Sequence, residues 1–186
     1  AGHISIHSSL IILKPFSESD ELGKFALANK IALLLRMIPV FMVQSVLQSA
    51  SSINKNNNSA LNGFINYYYY RGLFVTLSVG ILVALLSKWV ILIFSGEDIA
   101  YSNYILSMLS FIPFLAMLNF RNILLILVNE RKVILNKATW ISTFFMLSTA
   151  MILSYYYKGF GLAIAILISE LFSFFIHYFL LLFSDE

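Results

Sequence analysis

The fold class this sequence predicts is an all-α membrane protein, a single bundle of about six transmembrane helices over residues 1–186. Three observations predict it. Hydrophobic residues make up 60% of the chain and charged residues only 11%, against about 25% charged in a typical soluble domain. The mean hydropathy is +0.85, so the polar side chains are too few to cover a water-facing surface, and the bilayer is the solvent that suits such a chain. Finally, the apolar residues fall into runs of about the twenty residues that one crossing needs, separated by short polar turns.

The expected helices run over about 4–14, 22–50, 73–94, 101–128, 138–157 and 162–183. The first is short for a span and ends at Lys14-Pro15. The sequence starts at Ala1 with no basic n-region or cleavage site behind it. The expectation is therefore a chain that begins partway through a helix of a longer protein, or else a processed or truncated one. After Pro15 comes an acidic turn, Ser17-Glu18-Ser19-Asp20-Glu21, in which Ser17 and Asp20 have the spacing of a helix-start capping box. The second helix carries Pro39, a kink signal. The stretch 51–70 is the one long polar segment, with Asn54 to Asn58 at its centre. Its second half reads as an interfacial helix, because the run Tyr67 to Tyr70 followed by Arg71 suits the headgroup layer. Ser95-Gly96-Glu97-Asp98 and Lys158-Gly159-Phe160-Gly161 read as turns, and Pro113 interrupts the fourth helix.

Charge placement gives an orientation. Loops two and four carry Lys55, Arg71, Arg131, Lys132 and Lys137. Loops one, three and five carry Glu18, Asp20, Glu21, Glu97 and Asp98, with Lys24 and Lys158 nearby. The positive-inside rule puts loops two and four, and the C-terminus, in the cytoplasm. The acids of loops one and three read as solvated turn residues. The surplus of +3 is spread thinly rather than in a stripe, which argues against nucleic acid.

Polar residues inside the spans are the candidates for function, because a charge at mid-helix costs about 2.5–3.5 kcal/mol on insertion scales. At 100° per residue, Asn29, Lys30, Arg36, Gln44 and Gln48 share an arc of about 120° on the second helix. Lys30 and Gln48 lie near helix ends, where long side chains also reach the interface; Arg36 lies deeper and reads as cavity-facing. On the fourth helix Asn103, Ser107, Ser110 and Arg121 cluster within about 60°. Arg121 and Asn122 lie either deep or one to two turns from the cytoplasmic loop. On the sixth, Glu170, Ser173 and His177 share an arc of about 60°. An ionised Glu170 needs a partner there, a buried arginine or a neighbouring helix; otherwise it stays protonated. The hydroxyls of the fifth helix read as packing groups.

Several classes of chemistry are excluded. The chain has no cysteine, so disulfides, thiol catalysis and zinc knuckles are out. His3 and His7 are four residues apart but lack a third ligand, so no metal site and no cofactor are expected. No phosphate loop, nucleophile elbow or paired-carboxylate hydrolase site appears, and no catalytic residue is expected.

Three segments resemble a known family. Phe16-Ser17-Glu18-Ser19-Asp20-Glu21-Leu22-Gly23-Lys24-Phe25-Ala26-Leu27-Ala28-Asn29-Lys30-Ile31 is similar to the entry into the second helix of the C-terminal lobe of lipid-linked oligosaccharide flippases. There an acidic or serine-rich turn precedes Leu-Gly-aromatic and then Ala-x-Lys-Ile. Ile93-Phe94-Ser95-Gly96-Glu97 resembles the family's Leu-Phe-Gly-Gly turn. Tyr157-Lys158-Gly159-Phe160-Gly161-Leu162-Ala163-Ile164-Ala165, continuing to Ser169-Glu170, resembles its passage into the last helix. The turn here is Phe-Ser-Gly, and the loop after the second helix is Asn-rich rather than charge-rich. The family is that of O-antigen and polysaccharide flippases, within the multidrug/oligosaccharidyl-lipid/polysaccharide exporter superfamily.

The resemblance implies one lobe of a transporter of twelve to fourteen helices, paired with an N-terminal six-helix lobe around a cationic cavity. It implies a multi-pass protein of the bacterial inner membrane that moves undecaprenyl-diphosphate-linked oligosaccharide or O-antigen units by alternating access. The substrate path would use Asn29, Lys30, Arg36, Gln44, Gln48, Arg121 and Asn122, with Glu170 and His177 in proton coupling. The alternatives are a multidrug exporter of the same superfamily, a membrane-embedded polysaccharide polymerase or glycosyltransferase, and a nonfunctional truncated fragment. An exporter of cations would need more buried carboxylates than Glu170, and a polymerase would need a large extramembrane loop.

Overall fold

The computed structural model describes residues 10–56 and 58–183, and every regular element among them is a helix. The expected start of the first helix, His3, His7 and the C-terminal Asp185-Glu186 lie outside the described residues. Residues 10–13 are helical and bury Leu13. Seven helices follow: α1 (Ser19–Asn56), α2 (Asn58–Leu85), α3 (Ser87–Ser95), α4 (Ala100–Leu109), α5 (Ile112–Leu118), α6 (Phe120–Val128) and α7 (Lys132–Leu182). Four stretches are long and apolar enough to cross a membrane: Ser19–Asn54, Ala60–Leu85, Ala100–Val128 and Lys132–Leu182.

The second expected helix, 22–50, extends at both ends. Asp20 and Glu21 sit in the first turn of α1, where carboxylates complement the helix dipole, and Lys24 bonds Asp20 one turn on at 2.5 Å. The capping box does not form. Ser17 Oγ is buried without a hydrogen-bond partner, and α1 starts two residues later. Pro39 lies inside α1, whose helical run continues through it.

The third expected helix, 73–94, is corrected most. Its polar approach is not a separate interfacial segment, because α2 runs unbroken from Asn58 to Leu85. The reason is packing: Leu61 and Ile65 are buried in a core with Val46 and Ala50 of α1 and with Met117, Phe120 and Leu124. No proline interrupts residues 58–85, and burial of that face holds the helix through the tyrosines. The remainder of the expected segment is the short α3, closed by Gly96 in the left-handed conformation (φ 77°), whose N–H bonds the Leu92 carbonyl.

The fourth expected helix, 101–128, is broken into three. One break falls at Ser110–Phe111, where Pro113 opens α5. The other falls at Asn119, between α5 and α6, with no proline or glycine to announce it. The fifth and sixth, 138–157 and 162–183, are the arms of α7, which reverses at Lys158 (φ 51°, ψ −129°). Phe145 and Phe172, thirteen or fourteen residues to either side, stack with centroids 3.9 Å apart, as antiparallel arms require. The close approach depends on small residues. Gly161, Ala163 and Ala165 are buried in the second arm, and Ala28 and Ala32 in α1, the means by which helices approach one another in lipid.

At the acidic end the starts of α1 and α4 meet the α7 turn. Tyr101 donates a hydrogen bond to Glu21 at 2.8 Å, Lys158 lies 3.6 Å from the same carboxylate, and Ser102 Oγ bonds the Lys24 carbonyl. Glu21 is thus a packed, paired group rather than a solvated turn residue, because α4 and the α7 turn close over it. Nearby, Asp98 accepts from Lys88 at 2.9 Å and from Asn103 at 2.8 Å. These bonds, that of Lys88 first, lower its pKa from the ordinary 3.8. A lowered carboxylate pKa stabilises the fold above the unfolded value and loses that effect as pH falls through the folded one. Asp98→Asn should therefore flatten the acid limb of a stability–pH curve below about pH 4. Identical acid limbs in the two proteins would rule the tie out as a contributor.

Candidate functional site

Two charges that face into the bundle are paired. Arg36 of α1 reaches Glu170 of the second α7 arm, with Nη2–Oε1 at 2.5 Å and the two side chains 27% and 12% exposed. At 1.5 Å per residue, Arg36 lies about 25 Å along α1, and Glu170 about 18 Å from the α7 turn, within a hydrocarbon core of about 30 Å. The pair sits inside the span, where an ion without a partner is expensive. Coulomb attraction is strongest where water is scarce, so the pair ties the first described span to the last.

One to two turns further along α7, a neutral polar cluster fills the second break of the three-piece helix. Asn119, at that break, directs Nδ2 to His177 Nδ1 at 3.1 Å and to Ser173 Oγ at 3.4 Å. Asn122 donates to Asn119 Oδ1 at 3.3 Å and to the Phe174 carbonyl at 3.4 Å. Asn119, Asn122 and His177 are all buried. His177 Nδ1 also lies 2.7 Å from the Ser173 carbonyl. One ring nitrogen either accepts from the Asn119 amide or donates to the carbonyl. The tautomer and charge of the imidazole thus decide whether His177 is bonded to the α5–α6 joint or to its own helix. Asn119→Ala removes the amide and leaves Asn122 and His177 short of partners. It should cost about 1–3 kcal/mol, read as a lower unfolding midpoint in detergent; an unchanged midpoint would dismiss the cluster as an anchor.

The predicted path residues divide into three groups. Arg36, Glu170, Asn122 and His177 point into the bundle and make the contacts above. Asn29 is buried too, 4% exposed, on the α1 surface that packs into the core. Lys30, Gln44 and Gln48 are exposed on the adjoining, outward part of the same α1 arc, so the arc drawn from the sequence is split between interior and exterior. Arg121 is exposed and lines a groove at the basic end together with Asn122. The polar face expected of the fourth helix disperses. Ser107 and Ser110 bond carbonyls of their own helix, and Asn103 bonds Asp98.

Asn119 was not among the candidates drawn from the sequence. Its signal was available: Asn119 and Asn122, three apart in an otherwise apolar run, share a helical face. Lys158 and Tyr101, which close the acidic end over Glu21, had no such signal, because only the chain reversal brings them together. Among the described residues no three His, Cys, Asp or Glu side chains group as a metal site. Compared with family models, with curated proteins and with solved structures, the chain finds no match in any of the three.

Proposed function

We propose that this chain is one lobe of an inner-membrane flippase that carries undecaprenyl-diphosphate-linked oligosaccharide or O-antigen units between leaflets by alternating access. The observation that carries the reading is the outer stripe of α1. Lys30, Leu34, Met37, Phe41, Gln44 and Gln48 follow one another at steps of three and four residues, and all are exposed. That is the seam spacing of helix against helix, not the uniformly apolar surface that lipid selects. Lys30 lies about 16 Å along α1, too deep for a surface left to acyl chains. A second, N-terminal six-helix lobe with a wet interior between the two would satisfy it.

In this reading Lys30 and Arg121 attract the diphosphate, and the glutamines bond sugar hydroxyls. The Arg36–Glu170 pair positions α1 against α7, and His177 with Glu170 is the place for proton coupling, imidazole being the side chain that titrates near neutral pH. Orientation follows the basic loops, with the C-terminus cytoplasmic. No catalytic role and no cofactor are assigned. Export of cationic drugs is disfavoured, because the carboxylate of Glu170 is already committed to Arg36.

The test is Lys30→Glu, on an exposed position that leaves the packing alone. Surface polysaccharide should fall by an order of magnitude or more while membrane insertion is unchanged. Normal surface polysaccharide in that variant would defeat the reading. Loss of dye efflux with polysaccharide intact would favour the drug exporter.

A further inference from the structure

At the basic end a groove of about 520 Å³ opens between α6 and the last turns of α7. Arg121 and Arg131 line it, with the amides of Asn122 and Asn129 and the rings of Tyr69 and Tyr178. Leucines of α5, α6 and α7 complete the wall, and no carboxylate of the described residues takes part. Of the arginines within the spans, Arg36 is neutralised by Glu170, and Arg71 lies over the Tyr67 ring at 4.0 Å. Arg121 pairs with no carboxylate among the described residues.

A guanidinium at this depth, beside an apolar wall, calls for an anion that itself resides in the membrane. Phosphodiesters fit the planar fork of arginine, and basic pockets between membrane helices are where anionic headgroups bind. The groove has the size of a small-molecule site, well beyond a free phosphate, and its leucine wall suits a hydrocarbon chain. We propose that the groove seats an anionic membrane phospholipid, with the phosphate on Arg121 and an acyl chain along the leucines. The groove shares Arg121 with the transport reading, but its test reads lipid binding rather than export, so either can fail alone.

The experiment uses the full chain purified in phosphatidylcholine-containing micelles and follows its unfolding midpoint as short-chain phosphatidylglycerol is added. A saturable rise is expected, absent with short-chain phosphatidylcholine. Arg121→Gln should need at least ten times more phosphatidylglycerol for half the rise. Leu182→Trp, at an exposed position on the rim, should weaken binding similarly by filling the chain seat without changing charge. An unchanged titration in both variants overturns the proposal. So does an equal rise with inorganic phosphate, which would make this a small-anion site. Saturation by a polyprenyl phosphate with none by phosphatidylglycerol also overturns it, in favour of a carrier-lipid site.

Discussion

Arg36→Ala should lower the stability of the purified chain by about 3–5 kcal/mol, the usual cost of stripping one partner from a buried ion pair. The cost arises chiefly from what is left behind, since Glu170 is 12% exposed and has no other described cation within reach of its carboxylate. Glu170→Ala should cost a similar amount by exposing the guanidinium to the same surroundings. The double variant should lose less than the two singles added together, because removing both charges removes the desolvation cost as well. Exchanging the residues, Arg36→Glu with Glu170→Arg, should restore much of the loss. Reversible unfolding in mixed micelles measures all four. Additive single effects would mean that the two side chains do not depend on one another. If the exchange restores stability but not surface polysaccharide, the cation at position 36 matters to transport as well as to packing.

Gly161→Ala should cost about 1–3 kcal/mol, at the upper end for a substitution that overfills a packed site. A Cβ at Gly161 would run into the carbonyl of Leu153 on the other arm of α7. The obstacle is main chain, so it cannot rotate away as a side chain would, and the arms would have to part just below the turn. The contrasting control is Gly63→Ala, where an added Cβ meets nothing within 4 Å in the interior of α2. That change should stabilise by roughly 0.5–1 kcal/mol through backbone entropy alone. If both variants shift the unfolding midpoint the same way, close packing of the α7 arms is not what holds the reversal.

Much of the helical layout was legible because the bilayer length and the turn residues act locally. The reversal at Lys158 and the Gly96 turn were marked by glycines, and the break near Ser110 by Pro113. Arg36 and Glu170 each stood out as a charge in an apolar run, and the need of Glu170 for a partner was legible from solvation alone. What the sequence hid depends on tertiary contact. The tyrosine stretch of α2 looked interfacial because its own composition is polar, while its helicity comes from Leu61 and Ile65 meeting α1 and α6. Glu21 looked solvated because nothing near it in sequence closes over it; Tyr101 and Lys158 come from elsewhere in the chain. Ser17 had the spacing of a cap, but the path of the chain from Pro15 decides where α1 begins. The α1 arc divided between inside and outside because 120° of helix surface is wider than one packing contact.

The joint at Asn119 has a further consequence for motion. At Asn119 the helix tightens, the Asn119 N–H bonding the nearer Ala116 carbonyl, and side-chain amides and an imidazole brace the joint. Side-chain bonds of that kind contribute about 0.5–1.5 kcal/mol each, far less than melting a turn of packed helix. The tightened bond has poorer geometry than the regular one, so opening at the joint should cost less than in the flanking turns. Deuterium uptake by the amides of residues 118–123 should therefore outpace that of the flanking turns, at equal distance from solvent, and should quicken as His177 takes up a proton.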